Sequence, residues 1–163
     1  MVNPKLQDAI NSQIQAEFYS AYLYLSMSAY CESQNFTGFA HWLKLQYQEE
    51  TEHALKLIGY LQERGGTVEL KKIDAPPAEF GSPLQVFEQT LAHEQHVTSL
   101  IHQLYETAAA EKDYAAQIFL QWFITEQVEE EASATAVVER LRIIGDKSPG
   151  SILYIDKELG KRV

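Results

Sequence analysis

The chain is punctuated as a set of long rods. Asn3-Pro4 reads as a helix cap followed by a first-turn proline, and the run it opens extends to about Ser33-Gln34-Asn35. Thr37-Gly38 opens a second run that stops at Gly65-Gly66. Ser82-Pro83, with Gln85 placed to complete a capping box, opens a third that ends near Glu111, and Asp113 caps a fourth that Gly145 closes. Each run has roughly 27 to 33 residues and would span about 40 to 50 Å at about 1.5 Å per residue. Ser148-Pro149 then starts a short terminal helix carrying Ile152, Ile155 and Leu159. The one extended connection runs from Gly65 to Gly81, with Pro76-Pro77 inside it, and it is long enough to travel the length of a rod. The punctuation predicts an all-α four-helix bundle in which a long crossover between helices 2 and 3 replaces a hairpin.

One such bundle accounts for the whole chain. With 163 residues, 45% of them hydrophobic, residues 1–163 suit a single domain with a sizeable core. A net charge of −10 repels phosphate backbones and anionic lipid and attracts cations, so no nucleic acid and no membrane surface is expected as a partner. The single Cys31 excludes an internal disulfide, a Cys-x-x-Cys redox pair and any tetrathiolate metal site, and reads as a small buried hydrophobe. The stretch from Met1 to Phe18 lacks the continuous apolar run of a secretory signal, and no segment approaches what is needed to span a bilayer. A cytoplasmic location is expected.

The core-facing stripes are interrupted. On the first helix the stripe reads Leu6, Ile10, Gln13, Glu17, Ala21, Tyr24, Ser28, and on the second Phe39, Leu43, Gln46, Glu50, His53, Leu57, Tyr60. Glu94 falls mid-stripe on the third, and Gln127 and Glu130 on the fourth. Every stripe thus carries an ionisable or amide group near its middle, where an unpaired charge costs several kcal/mol or takes up a proton. The interval from Glu17 to Glu50 equals that from Glu94 to Gln127, and the second member of each pair is followed one helical turn later by another polar residue, His53 and Glu130. This is the pattern of a diverged duplication of a helix pair.

Glu17, Glu50, Glu94 and Glu130 with His53 form an oxygen-rich, nitrogen-poor donor set, suited to iron or manganese and too hard for a structural zinc site. Four carboxylates balance two divalent ions, so a dinuclear site with one bridging carboxylate is the simplest neutral arrangement. Without metal the cluster repels itself, some carboxyl pKa values rise, and metal binding releases protons. For Tyr24, packing with a satisfied hydroxyl is an adequate reading from the residue itself. For Glu49, Glu126 and Glu129, which lie one position off their stripes, a solvated acidic face is adequate too.

These residues resemble the ferritin family, specifically the non-haem bacterial and archaeal ferritins. The resemblance is carried by Gln15-Ala16-Glu17, Tyr24, Glu49-Glu50-Thr51-Glu52-His53, His93-Glu94-Gln95 and Glu126-Gln127-Val128-Glu129-Glu130, and it covers essentially the whole chain. It implies a ferritin-like four-helix bundle with a short C-terminal fifth helix. It also implies that Glu17, Glu50 and His53 bind a first iron, and that Glu50 bridges to a second held by Glu94 and Glu130, with Gln127 beside it as a weak or hydrogen-bonding ligand. Tyr24 would orient a ligand carboxylate and supply an electron, and Glu49, Glu126 and Glu129 with Glu130 would form a third iron site. The implied activity is ferroxidase chemistry, Fe2+ oxidation by O2, coupled to iron storage in the cavity of an octahedral 24-subunit homo-oligomer.

Departures narrow the resemblance. Bacterioferritins and oxygenase-type bundles carry a second Glu-x-x-His on the fourth helix, where position 130 here is Glu, and the bacterioferritin haem methionine falls at Thr51. No haem is expected. Rubrerythrins need a cysteine-ligated iron that one cysteine cannot supply. His41, His93, His96 and His102 read as ordinary flank histidines.

Overall fold

The computed structural model describes residues 1–145 and 148–163. Five helices follow one another: α1 (Pro4–Ser33), α2 (Thr37–Glu63), α3 (Pro83–Ala110), α4 (Tyr114–Ile144) and α5 (Pro149–Leu159). The all-α bundle, its crossover and its fifth helix are as the punctuation predicts, and the caps show why. Asn3 accepts from the Lys5 amide and Asp113 from that of Ala116, while Ser82 and Gln85 form the expected capping box.

Three helices end in the same way. After α2, the Gly65 amide donates to Gln62 O and the Gly66 amide to Leu61 O, closing the last turn through a left-handed residue, Gly65, at φ 66°. Asn35 (φ 62°) and Lys112 (φ 53°) do the same after α1 and α3. Asn tolerates that conformation; Lys seldom adopts it, which is why the sequence marks the third stop only loosely.

Residues 64–82 run along α1. Asn11 Nδ2 donates to Thr67 O near one end of α1, Ser26 Oγ to Pro77 O farther along, and the Tyr30 hydroxyl to Gly81 O near the other end. The chain therefore leaves α2 beside the α1 N-terminus, where the Val2 amide meets Arg64 O, and delivers α3 to the opposite end of the bundle. The long connection makes α2 and α3 parallel, while the short turns keep α1–α2 and α3–α4 antiparallel.

Helix α2 begins at Phe36–Thr37 without a side-chain cap of its own. Asp156 of α5 supplies it, accepting from the Phe39 amide at 2.8 Å. A β-carbon at Gly38 would lie 1.6 Å from the Asp156 carbonyl oxygen, so this approach requires glycine there. Cys31 is buried, and burial raises its thiol pKa to about 12.

The apolar core is divided in two. One cluster gathers Met27, Phe39, Leu43, Phe87, Val138 and Leu141; the other gathers Leu6, Ile10, Leu57, Leu61, Ile101, Leu120 and Phe123. Between them, at mid-height, lies a layer of buried polar side chains. No helix among the described residues is long and apolar enough to cross a membrane.

Candidate metal centre

Each long helix carries an apolar segment of one cluster, then polar residues, then a segment of the other cluster, so all four deliver polar groups to one level. Glu17 comes from α1, Glu50 and His53 from α2, Glu94 from α3, and Gln127 and Glu130 from α4, and all six are buried. Helical i,i+3 spacing stacks His53 beside Glu50, with Nδ1 3.1 Å from Glu50 Oε2. Ligand atoms of Glu17, Glu50 and His53 lie within 4.8 Å of one another, and so do those of His53, Glu126 and Glu130. His53 is therefore shared by two overlapping sets of three.

Glu94 faces them from α3. The Tyr24 hydroxyl donates to its Oε1, and Gln127 Nε2 lies 3.2 Å from its Oε2 and also 3.2 Å from Thr98 Oγ1. Gln13 Nε2 donates to Glu17 Oε1 at 2.9 Å, and Gln46 Nε2 to Glu130 Oε2 at 2.8 Å. These amides leave oxygens over: Glu17 Oε2 and Glu50 Oε1 are buried with no hydrogen-bond partner. Carboxylate oxygens so placed fit a cation.

Burial sets the protonation states. It pushes Glu17 up to about 7, a rise that the Gln13 amide and the Glu50 contact reduce and the Glu94 charge increases. Glu130 rises to about 8 through burial and the Glu94 charge, opposed by Gln46. Glu50 is held well above the ordinary range by burial and by the charges of Glu94, Glu17 and Glu130. Glu94 is raised by burial, with Tyr24 and Gln127 pulling the other way. His53 falls to about 4, first through burial and then through the Lys56 charge. The His53–Glu50 contact has the spacing of an ion pair, but these opposite shifts make it a neutral hydrogen bond at neutral pH. Protons hold the layer together where divalent ions would replace them.

The outer acids behave differently. Glu126 reaches His53 and Glu130 and is raised by burial and by the neighbouring Glu129 and Glu49 charges. Glu129 is exposed, and Glu49 is bound by Arg162. A depression of about 580 Å³ lined by Glu49, Glu52, His53, Trp122 and Glu126 opens beside this set, with the Trp122 ring edge-on to His53 at 5.3 Å. His93 bonds Ser20 at 2.8 Å and His41 meets the Arg162 carbonyl, so neither faces the carboxylates as a ligand.

Gln13, Gln46 and Arg162 are the contributors that the stripe reading leaves without a role. For the two amides a signal exists, because the interval between them repeats that from Glu17 to Glu50 and each lies one helical turn before a site glutamate. For Arg162 there is none, since its contact depends on how α5 folds back.

Known proteins give the same picture. The Ferritin-like domain family matches residues 7–144. A bacterial non-heme ferritin of Bacteroides fragilis is 50% identical over 162 residues, covering 99% of this chain and 100% of the relative. One from Staphylococcus aureus is 40% identical over 162 residues, covering 99% and 97%. The crystal structure of an open pore ferritin from the archaeon Archaeoglobus fulgidus superimposes with a TM-score of 0.98 at 49% identity over all of both chains. The likeness supports iron binding and an iron-storage role. With a family match across all four long helices and relatives about half identical along its length, this chain belongs to the ferritin family.

Proposed function

We propose that the chain is a ferroxidase and iron store, a single di-iron domain over residues 1–163. The observation that carries this reading is the convergence of buried carboxylates from all four long helices, two of whose oxygens have no partner in the protein. Two Fe2+ are the substrates. Glu17, Glu50 and His53 take one, and Glu50, Glu94 and Glu130 take the other, with Gln127 as a weak neighbour. As they bind, the carboxyls release the protons that burial had kept on them. The ligands hold both ions near one O2, which replaces a many-body encounter by a local one, and each Fe2+ gives up one electron to O2. Tyr24 orients Glu94 through its hydroxyl. Weak amide ligation at Gln127 suits a site that must release its product. Glu49, Glu126, Glu129 and Glu130 form an outer, third iron site along the depression beside His53.

A lone bundle cannot enclose a mineral. The exposed apolar side chains Tyr114, Ile118, Val128, Ile143 and Tyr154, each at least 65% accessible, support burial against further copies of the chain. The proposed assembly is the 24-subunit octahedral shell of the resemblance. Anaerobic Fe2+ titration with a size measurement tests the reading: two or three tight sites per chain in a particle of roughly 450 kDa, followed by ferric mineral in air, is the expected result. A small particle that binds no Fe2+, or one that turns over an organic substrate stoichiometrically, contradicts it.

A further inference from the structure

The C-terminal arm makes contacts that the proposed reaction does not use. Beyond α5 the chain turns back over α2. Arg162 Nη1 donates to Gln46 Oε1 at 2.6 Å, and Nη2 lies 3.0 and 2.7 Å from the two oxygens of Glu49. The guanidinium also stacks 4.8 Å from the centre of the Trp42 ring, and the Arg162 carbonyl oxygen is 2.7 Å from His41 Nε2. Gln46 passes the contact inward. Its carbonyl oxygen is taken by Arg162 and its amide nitrogen donates to Glu130, so only one orientation of the amide satisfies both neighbours. The arm is anchored upstream by the Asp156 cap on the Phe39 amide. One arginine thus fixes Glu49 directly and Glu130 through an amide.

We propose that Arg162 is a positioning residue that serves as the built-in counter-cation of the outer acidic site, so that a third divalent ion must displace the C-terminal arm to bind there. The inference rests on the outer-site reading of Glu49, Glu126, Glu129 and Glu130. A guanidinium paired with both Glu49 oxygens has already neutralised that carboxylate, and the incoming ion gains only the difference. Displacement is feasible because Arg162 and Glu49 remain 25% and 41% accessible along their side chains. By linkage, an arm that weakens the third ion is itself loosened when that ion binds. The device holds the outer site open until the ferrous concentration is high, while the inner positions, which Arg162 reaches only at Glu130 and only through Gln46, fill first.

The test is an anaerobic Fe2+ titration of the assembled protein, comparing wild type with Arg162→Ala, Arg162→Lys and Glu49→Gln, with hydrogen exchange of the Gly160–Val163 amides before and after loading. Arg162→Ala is expected to tighten the third ion about fivefold and leave the first, whose ligands Glu17, Glu50 and His53 lie outside the Arg162–Gln46–Glu130 relay, within about twofold, with Arg162→Lys between, since exposed ion pairs are worth this much. In wild type the arm amides exchange faster once the third ion is bound. An unchanged or weaker third ion in Arg162→Ala, with Glu49→Gln abolishing it, overturns the counter-cation and leaves the outer site standing. Wild type that binds only two ions, with Glu49→Gln indistinguishable from it, removes the outer site and this inference together.

Discussion

The phenol of Tyr24 on α1 donates to Oε1 of Glu94 on α3, and both side chains are sealed from solvent. Burial and the surrounding carboxylates raise the Tyr24 pKa well above its ordinary value, so the hydroxyl stays a donor. Gln127 grips the other Glu94 oxygen, and the carboxylate is held from two helices. Tyr24→Phe keeps the ring and its edge-on packing at 5.7 Å from His93 but removes the donor. It is expected to cost about 1 kcal/mol of stability and to weaken the second Fe2+ about tenfold while sparing the first. Anaerobic titration checks this, and equal affinities for both ions in wild type and variant would place the bond outside metal binding.

The metal-free protein should lose stability as pH rises through neutrality. Glu17 and Glu130 go from 4.5 to about 7 and about 8 in the fold, so their contribution is complete below 4.5 and is lost as they ionise. His53 and His93 are lowered from 6.5 to about 4, which has the opposite sign: their contribution is complete above 6.5 and fades as pH falls toward 4. Between pH 6.5 and 8 only the carboxyls act, and the Tm measured with chelator present should fall across that window. With Fe2+ bound anaerobically the trend should reverse, because ionised carboxyls are the ligands. A chelated protein whose Tm rises from pH 6.5 to 8 contradicts the assignment of these groups as protonated.

The contact between α5 and α2 should be sensitive to a single methyl. Gly38→Ala places a β-carbon 1.6 Å from the Asp156 carbonyl oxygen, a clash with backbone that only separation of the helices relieves. A cost of about 3 kcal/mol is expected. Asp156→Ala removes only the cap on α2 and should cost about 1 kcal/mol. Thermal unfolding of the two variants gives the order, and a Gly38→Ala protein as stable as wild type would mean that α5 does not need this approach.

Helix boundaries were legible because they are local: Asn3, Ser82 and Asp113 cap through their own side chains, and Gly65 and Asn35 suit left-handed ends. The polar layer was legible because a glutamate or glutamine on an apolar stripe contradicts its surroundings, and the repeated interval relates four of them, Glu17 to Glu50 and Glu94 to Gln127. What the sequence could not show depends on contacts between distant segments. The cap of α2 comes from Asp156, far downstream on α5, and the partner of Glu49 is Arg162. The repeated interval marks Gln13 and Gln46, but not their partners: Gln13 turns to Glu17 on its own helix and Gln46 to Glu130 across the bundle. Which of Glu49, Glu126 and Glu129 approaches His53 is a matter of helix rotation, and only Glu126 does so.

Glu50 is the residue whose removal should separate stability from function most clearly. It is fully buried, one of its oxygens lacks a partner, and the charges of Glu94, Glu17 and Glu130 oppose its ionisation. Glu50→Gln keeps the shape, removes the charge and still offers an oxygen to the His53 Nδ1 proton. At pH 8, where the neighbouring carboxyls begin to ionise, the metal-free variant should therefore be more stable than wild type, by about 2 kcal/mol. At pH 5 wild type is already protonated throughout the layer and the two should coincide. Metal binding should change the other way, because a neutral amide cannot bridge two cations and the remaining carboxylates no longer balance two divalent charges. Calorimetric unfolding at both pH values, paired with an anaerobic Fe2+ titration, tests both halves. A variant less stable than wild type at pH 8 would show that Glu50 acts as structural glue, and one that still binds a tight Fe2+ pair would show that the bridge lies elsewhere.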